Sequence, residues 1–192
     1  MSQPRSGNMP RGWGRIARRV RVPLGFVFAV VYLWLAHPTL PSLAVGAVVF
    51  LPGLALRAMA SGHVKKNEEL TTSGPYNYTR NPLYLGSMMI AAGFAIASRS
   101  WIVALILVVL FAGIYMPVIR SEEAFLRGKF AEFGEYAERV PRLWPRWSGE
   151  GLFSGFSSPL YRKHREYNAA IGTFAMLVLL LLKWAWVSYG KH

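Results

Sequence analysis

The stretch "LYLGSMMIAAGFAIASRSWIVALILVVLFAGIYMPVI", Leu83 to Ile119, consists of two apolar runs broken only by Ser98-Arg99-Ser100. Arg99 is its sole charge. A hydrocarbon core about 30 Å thick needs roughly 20 helical residues, fewer where the flanks snorkel. Leu83–Ser98 and Trp101–Ile119 meet that need, and so short a connection predicts an antiparallel hairpin of two membrane helices. Ser87, Ala91 and Ala95 form a small-residue stripe that permits close packing of a neighbour.

Three more apolar runs lie outside this hairpin. Val22–Ala36 is short and ends at "HPTLP". Ser42–Ala60 follows, with a kink expected at Pro52. Ala169–Val187 lies near the C-terminus. Arginines before a short apolar run also suit a cleaved leader, but the second run follows at once and favours a helical hairpin. The expected fold is all-α: a polytopic membrane protein with about five transmembrane helices and a cytosolic amphipathic helix. Its organisation reads as residues 1–63 (basic segment and first two spans), 64–147 (a core of two spans and polar motifs) and 148–192 (linker and last span).

Charge orients the spans. Of the 22 Lys and Arg residues, all but Arg99, Lys183 and Lys191 fall in segments on one side of the bilayer in this arrangement. Arg5, Arg11, Arg15, Arg18, Arg19 and Arg21 precede the first span. Arg57, Lys65, Lys66 and Arg80 lie between the second and third, and the rest between the fourth and fifth. The positive-inside rule makes that side the cytosol and places the C-terminus opposite. All nine glutamates fall on the same side, so polar chemistry is expected there. Near the outer end Lys183 snorkels, and Trp184, Trp186 and Tyr189 form an interfacial belt.

The formal charge of +13 with 53% hydrophobic residues suits a membrane topology. Basic residues set between apolar blocks do not form a nucleic-acid face, so no nucleic-acid partner is expected. Cysteine is absent. That removes a disulfide framework and a thiolate nucleophile. His37, His63, His164 and His192 are scattered without ligand spacing, so no metal is expected. Phosphate-binding glycine loops and a G-x-S-x-G elbow are also missing.

Two polar stretches remain. "GPYNYTRNPLYLG", Gly74–Gly86, runs into the third span. Gly74-Pro75 signals a turn. Pro82 suits the first helical position, and Asn81 before it suits an N-cap. Capping alone accounts for "TRNP"; the free N–H groups of that helix start would also attract an anion such as a ligand carboxylate. "EEAFLRGKFAEFGEYAERVPRLWP", Glu122–Pro145, begins below the fourth span. Phe125, Leu126, Phe130, Phe133 and Tyr136 recur at helical spacing among charged residues. That predicts an amphipathic helix on the membrane surface, weakened at Gly128 and Gly134 and ended by Pro141, with "VPRLWP" extended. Glu122 and Glu123 point about 100° apart, so one can meet a pocket and the other an arginine. Glu135 and Arg139 have the favourable i, i+4 order for a surface ion pair. Arg142 suits a carboxylate or a lipid phosphate.

In order, spacing and common side, these stretches resemble the isoprenylcysteine carboxyl methyltransferase family. That family sits within a wider group of membrane methyltransferases that includes the phospholipid N-methyltransferases. The resemblance covers about Val64–Pro145. It implies S-adenosylmethionine as cofactor, with Tyr78, Asn81, Pro82, Tyr84 and Gly86 on one wall and Glu122, Glu123, Tyr136, Pro141 and Arg142 on the other. It places Arg139, Arg142 and Glu135 near a lipid or lipidated acceptor. The family commonly has His where Asn81 stands. Asn cannot titrate, so contact and capping survive at this position and proton transfer does not. The expected reaction is carboxyl O-methylation of a lipid-attached carboxylate. The alternatives are phospholipid N-methylation, an NADPH-dependent membrane reductase, and a non-catalytic scaffold.

Overall fold

Thr39 and Pro41 start the first long helix. The Thr39 side chain accepts from Ser42 N (3.3 Å), and Ser42 Oγ accepts from Thr39 N (3.0 Å), so two otherwise orphaned donors are satisfied reciprocally. In the computed structural model, residues 27–65, 69–147, 151–152 and 155–190 are described. The N-terminal arginines, residues 22–26 of the first expected span, Lys66, Lys191 and His192 lie outside these. The chain up to Leu35 and the chain from Ala36 onward are two units. In the first, α1 (27–35) sets the rings of Phe28 and Tyr32 one turn apart, with centroids 6.2 Å apart.

In the second unit α2 (Leu40–Ser61) continues through Pro52 as one helix. It packs closely and antiparallel along α3 (Pro82–Ser98). The reason is two reciprocal glycine pairs, one heptad apart on each helix. A Cβ on Gly46 would stand 2.5 Å from the Gly93 carbonyl oxygen, and one on Gly93 2.6 Å from that of Gly46. Gly53 and Gly86 repeat the arrangement at 2.8 and 2.7 Å. Only residues without a Cβ let two backbones come this near. The closest approach is therefore at these glycines, not along Ser87, Ala91 and Ala95.

Arg99 turns the chain out of α3 with φ 53°, and Ser100 caps α4 (Trp101–Lys129) by accepting from Val103 N. The hairpin forms as the sequence predicts. Two features of α4 differ from expectation. It widens into a single π turn at Phe111–Tyr115. Pro117 follows two residues after its end; it has no N–H for the Gly113 carbonyl, and its ring crowds that carbonyl, which a wider turn relieves. The helix also runs through Gly128 to Lys129, well past the expected end of the span.

Consequently the single surface helix expected from Glu122 until Pro141 does not form. The chain breaks at Phe130, forms the short α5 (Phe133–Arg139), and continues without helix through 140–147. Phe133, Tyr136 and Val140 bury themselves together, with Leu70, Leu126, Phe130 and Ala137 packed around them. The apolar stripe thus folds on itself, while Phe125 alone remains well exposed.

α6 (Ser158–Lys163) leads to α7 (Tyr167–Tyr189). Among the described residues the structure is all-helical, without strands. α2, α4 and α7 are long and apolar enough to cross a membrane, and α3 is a shorter apolar helix of 17 residues. At one end of the unit His37 N donates to Ser98 O. At the other, the end of α2, the starts of α3 and α7 and the polar part of α4 meet, and the side chains with chemical potential collect there.

Candidate active site

Gly74, at φ 57°, opens a single 3₁₀ turn, Gly74–Asn77, and the His63 ring occupies the place where a Cβ would go. Tyr78, Thr79 and Arg80 carry the chain into α3. Asn81 does not cap this helix through its side chain. Its Nδ2 instead donates to Glu123 Oε1 (3.1 Å) and to the Arg142 carbonyl (3.0 Å). A buried carboxylate and carbonyl are stronger calls on an amide than a helix start that ordinary backbone can satisfy.

Glu123 is the centre of this network and is itself buried. Its Oε2 accepts from Arg142 Nε at 3.0 Å and lies 2.8 Å from Arg142 Nη2. Arg80 Nε stands 3.4 Å from Oε1, too poorly aligned to hydrogen-bond, and is left as a buried donor without a partner. Arg80 Nη1 donates to the Ala137 carbonyl. The hydrogen bond with Glu123 raises the pKa of Arg142 beyond its usual value, so the guanidinium stays charged. The segment after α5 is pinned as well. Arg80 N donates to Pro141 O, Arg146 N to Tyr78 O, and Thr79 Oγ1 to Arg142 O. Segment 140–147 therefore straps across the loop that enters α3.

Glu122 points elsewhere, as adjacent helical residues must. It accepts from the Tyr84 hydroxyl at 3.0 Å, and the Tyr84 ring meets Tyr115 of the π turn edge-on. Tyr136 donates to the Tyr76 carbonyl at 2.7 Å. Burial pushes both phenols, Tyr76 and Tyr136, well above the usual tyrosine range, so they remain donors at neutral pH.

Between the loop and the strap lies a cavity of about 410 Å³, lined by Thr72, Ser73, Asn77, Tyr136, Arg139, Val140, Arg146 and Trp147. Of the residues singled out in the sequence, it brings together Tyr136 and Arg139. The buried Asn81 and Glu123 and the half-exposed Arg142 form the network beside it, and Tyr78 packs edge-on against Trp147. Pro82 is the buried first residue of α3, and Gly86 faces α2. Glu135 is exposed, and the expected ion pair with Arg139 does not form. Arg139 and Arg146 carry no ion pair among the described residues. Sequence reasoning missed Arg146, Trp147, Asn77, Ser73 and Thr72. The one available signal is the "PRW" following "RLW", whose Arg146 and Trp147 lie just past the stretch that ends at Pro145.

Residues 53–132 match the family model described as phospholipid methyltransferase. The match supports the wider membrane methyltransferase group. It ends before α5 and the strap, so five of the cavity residues, Tyr136, Arg139, Val140, Arg146 and Trp147, lie beyond it. Over 110 residues the chain is 43% identical to the cobalt-zinc-cadmium resistance protein CzcN of Cupriavidus metallidurans, covering 57% of this chain and 46% of that protein. It is 36% identical, with the same coverage, to the nickel-cobalt-cadmium resistance protein NccN of Alcaligenes xylosoxydans xylosoxydans. The chain thus spans about half the length of the curated relatives it matches. No solved structure matches it. Among the described residues no group of three metal-ligating side chains is present.

Proposed function

We propose that the protein is an S-adenosylmethionine-dependent methyltransferase acting on a membrane-borne acceptor at the cytosolic face. The observation that carries this reading is the cavity beside the Asn81–Glu123–Arg142 network, within and adjoining the methyltransferase match. Its volume of about 410 Å³ lies in the range usual for small-ligand sites. The donor set fits the cofactor. One of the two guanidinium groups suits its carboxylate, Ser73, Thr72 and Asn77 suit sugar hydroxyls and a base edge, and Trp147 offers a flat aromatic face. Glu123, by contrast, is already engaged by Arg142 and Asn81, so it holds the wall in shape and does not bind ligand itself.

When bound, S-adenosylmethionine supplies a methyl group on a positively charged sulfur, which a carboxylate oxygen accepts by in-line displacement with no prior proton loss. This chain's residues then have to bind, orient and exclude water. Orientation of this kind contributes several kcal/mol, on the order of 7–11 at best. Two carboxylates need two cations in this reading, one for the cofactor and one for the acceptor, and Arg139 and Arg146 provide them. Arg142, held by Glu123, is a wall group in this reading and not a ligand for either carboxylate. The favoured acceptor is therefore a lipid-attached carboxylate.

The description of the matched family favours a second reading, N-methylation of a phospholipid amine. An amine must first lose a proton. Glu135 is exposed and carries no ion pair among the described residues, and Glu122 is hydrogen-bonded to Tyr84, so either can receive it. Calorimetry on the protein in detergent tests the class. Binding of S-adenosylmethionine but not of NADPH is expected; binding of NADPH alone points to a reductase, and binding of neither to a scaffold. The acceptor type follows from the product, because a methyl ester releases methanol in mild base and a methylated amine does not.

A further inference from the structure

The last span carries none of the residues in the motifs above, yet it is fastened to the site by charged groups. Arg57, on the last turns of α2, donates from Nε and Nη2 to the Glu166 carboxylate at 3.0, 3.0 and 2.7 Å, a two-pronged pairing at the start of α7. Its remaining Nη1 donates to the Leu83 carbonyl (3.2 Å) and to Ser87 Oγ, in the first turns of α3. The two side chains are only 22% and 15% exposed, so the pair is largely shielded from solvent screening.

A second line of contacts runs beside the first. Ser157 N donates to the Gly62 carbonyl, and His164 Nδ1 lies 3.0 Å from the Ser61 carbonyl. Phe156 occupies the space where a Gly62 Cβ would sit and meets the His63 ring, which in turn fills the space beside Gly74. Gly74 begins the turn whose Tyr76 carbonyl receives Tyr136. The C-terminal segment thus reaches both ends of the site loop, at Gly74 and at Leu83.

We propose that Arg57 and Glu166 are positioning residues for methyl transfer: Glu166 fixes the Arg57 guanidinium, and Arg57 Nη1 fixes the first turn of α3, which carries Asn81 and Tyr84 into the site. The chemistry is specific to Arg. A lysine ammonium keeps the charge towards Glu166 but lacks the planar fork that reaches Glu166 and Leu83 together. The inference rests on the methyltransferase reading for its effect on turnover, but not for its effect on the loop.

The test uses the full chain in detergent or vesicles, with the variants Glu166→Gln, Arg57→Lys and the exchanged pair Arg57→Glu/Glu166→Arg. Amide exchange across residues 74–87 reads the loop independently of any activity. Arg57→Lys and Glu166→Gln are expected to speed this exchange about tenfold. They are expected to lower kcat more than they raise KM. The exchanged pair should recover thermal stability, because the α2–α7 ion pair is restored, without recovering kcat or protection at 74–87, because no guanidinium on α2 reaches Leu83. Stability, kcat and protection all recovering together would make the pair a structural clasp only and overturn the proposal. Unchanged exchange at 74–87 in Arg57→Lys would also overturn it. If the wild-type protein shows no methyl transfer, the functional reading fails, and the exchange measurement still decides whether Arg57 holds the loop.

Discussion

At the scale of single residues, Asn81 shows how a correct position acquires a different job. Its place before Pro82 reads as an N-cap, and the backbone does enter a helix there, but the amide is drawn to Glu123 and the Arg142 carbonyl. Glu123 is 42 residues away and Arg142 61, distances that no local pattern reveals. Replacing Asn81 with Leu leaves both acceptors short of a donor and is expected to cost about 1–3 kcal/mol of stability. Thermal melting in detergent measures this, and an unchanged midpoint would show that the amide bonds are dispensable. Glu122 and Glu123 were legible as a diverging pair because helix geometry forces it. The absence of a Glu135–Arg139 pair was not legible: exposed partners gain only tenths of a kcal/mol from meeting, so the spacing permits the pair without compelling it. Arg139 has no carboxylate partner among the described residues. Arg139→Lys is accordingly expected to reduce turnover about tenfold or more while changing S-adenosylmethionine affinity less, as steady-state kinetics and calorimetry together will show.

Among the elements, the helices themselves were plain in the sequence because long apolar runs between polar turns have few other outcomes. Their partners were less plain. A glycine taken singly in a helix only weakens it, so nothing local marks those at 46, 53, 86 and 93 as contact points. Only when α2 and α3 lie antiparallel do they register as two touching pairs. Gly93→Ala forces a methyl to within 2.6 Å of the Gly46 carbonyl oxygen, a backbone atom with little room to yield. The expected loss is about 1–3 kcal/mol, the usual range for overpacking. Gly113→Ala, where a Cβ meets nothing within 4 Å, is the control and should be near neutral. Equal melting temperatures for both variants would show that the glycine contact does not govern α2–α3 packing. The surface helix was misread for a related reason. Its apolar stripe was correctly identified, but periodicity cannot say whether the stripe covers lipid or its own neighbours. In the structure Leu70 and Val140 complete a small core with it, and Phe130 becomes the corner.

On the scale of the whole molecule, the one-sided distribution of basic residues along the sequence sets the expected topology. Reporter fusions are expected to place Lys65 in the cytosol and Arg99 on the opposite side; finding both on one side would remove the cytosolic site. Alkaline pH offers a second global test. Tyr76 and Tyr136 are held protonated by burial, with folded pKa values raised above those of the unfolded chain. Their contribution is therefore intact below about pH 10, where an unfolded tyrosine begins to ionise, and is lost as pH rises beyond that. Tyr136→Phe should soften this alkaline loss, and a melting profile from pH 8 to 11 would reveal it. The most direct measurement incubates membranes containing the protein with methyl-labelled S-adenosylmethionine and follows the label. Label is predicted in the membrane fraction, released as methanol by mild base, and strongly reduced in Arg139→Gln. Membranes carrying the intact protein that acquire no more label than membranes without it would contradict the methyltransferase account.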